Sequence, residues 1–158
     1  MTPTKSVAPK HDDTPIAISP VQAADALVRA AVEACRQHER VGRLLAKGSA
    51  DDELLEVAEL CDACLRHLAK RTTAYESAAA AGKGKTDDAL WHAANALWHS
   101  SRDYARRHHF CDSLSGKSGK HSSDHFATLH TEYELEASAL LALRNVIATY
   151  RKLRPEVE

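Results

Sequence analysis

The chain has 158 residues and a mass of 17.3 kDa, with 44% hydrophobic and 27% charged residues: a globular composition, with enough chain for one domain and its own core. Its 21 basic and 22 acidic side chains leave a formal net charge of −1, which argues against a protein built to hold a nucleic-acid backbone. No apolar run is long enough to span a bilayer and the first ten residues lack the apolar core of a signal peptide, so the expectation is a cytoplasmic protein without a membrane segment.

Residues 1–18 carry Pro3, Pro9 and Pro15 among charged and small residues and read as a disordered tail. Ser19, Pro20 and Gln22 then form a helix start, with a hydroxyl cap, proline at the first helical position and a glutamine three residues after the cap. This first helix is expected over about 20–47, with a seam of Leu27, Ala31, Ala34, His38, Val41 and Leu45 and a stop at Gly48. A second, about 50–80, opens on Asp51, Asp52 and Glu53, which suit the positive end of a helix dipole, and its seam runs Leu54, Ala58, Cys61, Leu65, Leu68, Thr72, Tyr75. A third, about 87–112, is capped by Thr86 and contains Ala-Leu-Trp-His twice, seven residues apart, which stacks Trp98 above Trp91 on one face. A Ser/Gly/Lys-rich linker leads to a fourth, about 123–153, with a seam of Phe126, Leu129, Tyr133, Glu136, Leu140, Leu143, Ile147 and Tyr150. Four amphipathic helices joined by short connections predict an all-α, up-down-up-down antiparallel four-helix bundle.

Aligning the helices by their connections puts His38, Cys61, His108 and Leu129 in one layer. Cys35, Cys64, Tyr104 and Glu132 share the next, and Val41, Val57, Cys111 and His125 lie on the other side. Cys35, His38, Cys61, Cys64, His108 and Cys111 therefore gather in one third of the bundle, and thiolate with imidazole is a ligand set for zinc or copper. The competing reading is that these cysteines are reduced thiols filling gaps in an alanine-rich core. Glu136 interrupts the fourth seam where an apolar residue is expected; a carboxylate there needs a partner, with Ser100, Ser101 and Arg102 the candidates, or reaches water at the seam's edge.

Two short stretches have family likenesses. Arg102-Asp103-Tyr104-Ala105-Arg106-Arg107-His108 resembles the Arg-polar-x(4)-His motif of HEPN ribonucleases, which are all-helical and dimeric; the resemblance implies Arg102 and His108 as a catalytic pair for RNA cleavage. His67-Leu68-Ala69-Lys70 is similar to the His-x-x-Lys of histidine phosphotransfer domains, with Arg71 standing where that family has glycine. No Gly-rich phosphate loop, Gly-x-Ser-x-Gly elbow or His-Glu-x-x-His is present.

Trp91 and Trp98, both tryptophans of the chain, lie about 100° from the core stripe of the third helix and are the candidate partner-binding residues. The leading expectation is a non-catalytic bundle acting through a homo-oligomer or a protein partner. A zinc- or copper-binding bundle is the alternative, and the ribonuclease the third.

Overall fold

The computed structural model describes residues 18–81, 88–115 and 123–157. Residues 1–17 of the expected tail, the Thr86 cap and residues 116–120 of the linker expected over 113–120 lie outside the described residues, while 113–115 of that linker continue the third helix. Four helices follow in chain order: α1 (Pro20–Lys47), α2 (Asp51–Ala81), α3 (Asp88–Ser115) and α4 (Ser123–Leu153). Among the described residues there is no strand, and no helix is long and apolar enough to cross a membrane.

The sequence signals act as their chemistry requires. Ser19 Oγ accepts from the Gln22 amide at 3.1 Å while the Ser19 amide donates to Gln22 Oε1 at 3.0 Å, closing a capping box at the head of α1. Gly48 ends the same helix at φ 65°, where a side chain would be strained, and its amide and that of Ser49 return to Leu45 and Leu44 carbonyls. Ile18, assigned above to the tail, packs against the core instead, because it is the apolar residue immediately before the cap.

α1 and α2 form one hairpin, α3 and α4 the other, and the helix contacts are those of a four-helix bundle. α1 packs against all three other helices, whereas α2 and α4 do not meet, so α1 and α3 lie across the short diagonal. That closeness follows from the small residues α1 buries: Ala23, Ala24, Ala30, Ala31 and Ala34.

Packing is uneven along the bundle. The end formed by the start of α1 and the last turns of α4 is dense, with Leu27, Tyr75, Leu97, Leu143 and Tyr150 almost wholly buried. Toward the other end the seams open: Leu45 is 60% exposed, Phe126 58% and Tyr133 46%. The register of α4 accounts for part of this. Arg107 meets Glu132 at 3.4 Å and His108 meets Glu136 at 3.3 Å, so α4 lies one to two turns from the alignment expected from its connection, with Glu136 in the layer assigned to Leu129. The linker is too long to set that alignment by itself; burying Glu136, Leu140 and Leu143 sets it.

The dense end is pinned by Asp25. Its Oδ1 accepts from the Tyr150 hydroxyl at 2.6 Å and its Oδ2 from Arg154 Nη2 at 2.7 Å. Burial alone would push this carboxyl up, but the Arg154 and Tyr150 hydrogen bonds outweigh it and hold Asp25 below the usual carboxylate range. Tyr150→Phe should therefore cost about 1–2 kcal/mol in urea unfolding at neutral pH. A carboxyl held low stabilises the fold above its unfolded value near pH 4 and loses that contribution as pH falls further, so Asp25→Asn should flatten the acid limb of the stability curve.

Candidate functional site

The site sits where the packing opens, and each helix supplies part of it. Glu136 on α4 is only 6% exposed. Facing it are His38 from α1, whose Nε2 is 3.6 Å from Oε1, and His108 from α3, whose Nδ1 is 3.3 Å from Oε2. The Cys111 thiol also hydrogen-bonds this carboxylate. Glu136 thus meets two imidazoles and a thiol, which corrects the expectation that Ser100, Ser101, Arg102 or water would receive it.

Each imidazole is gripped from behind through its second nitrogen. Tyr104, wholly buried, places its hydroxyl 2.6 Å from His38 Nδ1, and Asp62 on α2 places Oδ1 3.3 Å from His108 Nε2. Burial pushes the Tyr104 phenol far up, so it remains protonated and can donate to Nδ1 or accept from it according to the His38 tautomer. One turn separates Tyr104 from His108 on α3, so both present to the same side of the helix.

The charges follow from the surroundings. Burial holds the His38 imidazole below its ordinary value despite the pull of Glu136. Burial opposes charge on His108 as well, but the hydrogen bonds and negative charges of Glu136 and Asp62 outweigh it, and its value is raised. Glu136 is held low because His108 and His38 outweigh the cost of its burial. These shifts favour a Glu136 carboxylate and make His108, rather than His38, the imidazole that more readily holds a second proton beside it. The pair is imperfect: His108 Nδ1 and Glu136 Oε2 are buried, and neither completes a well-aligned hydrogen bond.

Among the described residues, two groups bring three or more ligand atoms within 4.8 Å of one another: His38, His108 and Glu136, and Asp62, His108 and Asp112. No cysteine sulfur belongs to either. Of the six ligands expected from sequence, His38 and His108 converge. Cys61 and Cys111 line the same cleft, and Cys35 and Cys64 enter neither group. None of the four is in a disulfide. Burial pushes the Cys35 thiol up to about 11 and those of Cys61 and Cys111 to about 12, so all three are protonated at neutral pH.

The remaining candidates are elsewhere. Arg102 and His108, six residues apart, leave α3 roughly 120° from each other; the Arg102 guanidinium lies 4.8 Å over the Trp98 ring while His108 faces Glu136 and Asp62. His67 is exposed, with Arg71 Nε 3.5 Å from its Nε2. Trp91 and Trp98 are half-buried, Trp91 packing on Tyr75 and Trp98 against the core. Asp62 and Tyr104 were not singled out as site residues by sequence reasoning. The available signals were a charged residue beside Cys61 and a tyrosine one turn before His108.

No family model, no curated protein and no solved structure matches this chain.

For the metal-free protein, NMR titration should find His108 above the ordinary imidazole value and His38 below it. Glu136→Gln removes the charge that raises His108, so its midpoint should drop, while burial continues to oppose its protonation. An unmoved His108 midpoint would contradict the pairing.

Proposed function

We propose that this chain is a metal-binding four-helix bundle whose ion is held by His38 Nε2, His108 Nδ1 and Glu136. The observation that carries the reading is the double shell: both imidazoles aim one nitrogen at the same buried carboxylate and anchor the other, on Tyr104 and on Asp62. Ligating histidines are oriented in this way, by a carboxylate or hydroxyl on the far nitrogen. Spacing supports it as well. Ligand atoms about 2.0–2.1 Å from a tetrahedral zinc stand roughly 3.3–3.5 Å apart; here the two imidazoles lie 3.3 and 3.6 Å from the two Glu136 oxygens, and the three groups' ligand atoms fall within 4.8 Å of one another.

Loading needs small adjustments in protonation. The His108 proton on Nδ1 leaves to solvent, and its Nε2–H donates to Asp62. His38 keeps its one proton on Nδ1, which then donates to the Tyr104 oxygen. The buried atoms that lacked aligned partners thereby acquire one. Two imidazoles and one carboxylate suit zinc with an exchangeable position left toward the cleft, as in catalytic rather than structural zinc sites; copper remains the second ion to assay.

Protein purified without a histidine tag and equilibrated with zinc should hold close to one ion per chain. Glu136→Gln and His108→Ala should each lose it, whereas Cys35→Ser and Cys64→Ser retain it. Saturation at roughly a hundredfold above Kd should stabilise the fold by about 2.7 kcal/mol. Zinc retained in Glu136→Gln, or lost in Cys64→Ser, would overturn the assignment.

A second reading, association with another copy or a protein partner, is supported by exposed apolar side chains on α3 and α4, namely Phe110, Phe126, Leu135 and Leu141. Trp91 and Trp98, the partner-binding residues expected from sequence, are half-buried and keep part of their surface outside the core. Sedimentation velocity tests it: a concentration-dependent shift abolished by Leu141→Glu supports self-association, and a monomer at all concentrations excludes it.

A further inference from the structure

We propose that the cleft beside Glu136 takes a small amphiphilic monocarboxylate, its head on the ion held by His38, His108 and Glu136 and its apolar body lying over Gly42. This rests on the metal reading above and goes beyond it in assigning a ligand class to the open side of the site.

The cleft is two-sided in chemistry. Its inner end is the metal group with Cys61 and Cys111; its outer walls are Val41, Leu45, Ala58 and Tyr133. The cleft has a volume of about 320 Å³, at the small end of the range for organic ligands and more than an ion and its waters need. A molecule with one donor group and an otherwise apolar body matches both ends.

Gly42 gives the independent observation. It lies inside α1, where glycine is a weaker helix former than alanine, so its presence needs a reason. The backbone does not require it: Gly48 is the glycine with positive φ among the described residues, and Gly42 is ordinary helix. Close packing does not require it either, since a Cβ built there meets nothing within 4 Å. What glycine does at this position is leave the cleft wall bare, beside His38 and next to Val41. A side chain there would project into the space the apolar body is assigned.

The head is a carboxylate because a divalent ion held by one carboxylate and two neutral imidazoles retains positive charge for a second anionic ligand. Asp62 and Asp112 also line the cleft and oppose an anionic head, but Asp62 lies on the far side of the His108 ring and Asp112 is exposed to water, where its charge is screened.

The test uses the full chain loaded with cobalt(II), whose visible spectrum reports its ligands, titrated with octanoate and with acetate. Each methylene taken out of water is worth about fourfold in affinity, so octanoate should bind at least about a hundredfold tighter than acetate, and both should perturb the cobalt spectrum. Gly42→Leu should weaken octanoate at least about tenfold while leaving cobalt uptake and acetate affinity unchanged. Gly42→Ala should melt higher than the parent, as relief of a helix glycine requires, and bind octanoate more weakly. Equal affinity for octanoate and acetate, undiminished octanoate binding in Gly42→Leu, or equal octanoate binding without cobalt would each overturn the proposal and leave the metal site standing. Failure of the parent chain to take up cobalt would overturn the metal reading itself, and this proposal with it.

Discussion

Glu136 is a carboxylate buried in the middle of α4, and the arrangement of the other three helices at that level follows from it. Moving a lone carboxylate out of water costs several kcal/mol, so a fold that buries one must surround it with donors or positive charge. Here α1 supplies His38 and α3 supplies His108, while Tyr104 and, from α2, Asp62 orient those rings. No single helix contains the site. It exists only once the hairpins have packed, with α1 and α3 drawn across the short diagonal by the alanines of α1.

The bundle buries a second carboxylate, and the contrast between the two indicates their roles. Asp25 is met by an arginine and a tyrosine at 2.7 and 2.6 Å, partners that stay protonated at any physiological pH, within the densest part of the core. That is a structural fastening. Glu136 is met at 3.3 and 3.6 Å by two imidazoles whose facing protons can be lost or moved to the far nitrogen, and it keeps an oxygen without an aligned partner. Groups held at metal-ligand spacing with exchangeable protons suit a cation that takes the protons' place. The open seams around them, with Leu45 and Tyr133 exposed, leave the group reachable from solvent.

Much of the architecture was legible in the chain. The Ser19–Gln22 box, Gly48 and the seams of α1, α2 and α4 define the helices because capping and 3.6-residue periodicity are local properties. The layer holding His38, Cys61 and His108 was also within reach, since α1, α2 and α3 keep roughly the alignment that their connections imply. Glu136 was visible as an apolar seam's exception, but its partners were not. They depend on the offset of α4, which side-chain burial across three helices decides and no local signal reports. The cysteines drew attention by type alone, while the ligand geometry selected a carboxylate two turns from where the alignment had placed it. The tryptophan repeat is likewise local: it marks the phase of α3, and the packing of Tyr75 on Trp91 is a tertiary fact.

The most direct measurement is X-ray absorption at the zinc edge of zinc-loaded protein, because it reads the atoms around the ion. The expected spectrum has nitrogen and oxygen neighbours at about 2.0–2.1 Å, with the outer-shell scattering of two imidazoles and no sulfur. Sulfur at about 2.3 Å would place the ion on the cysteines and contradict the account.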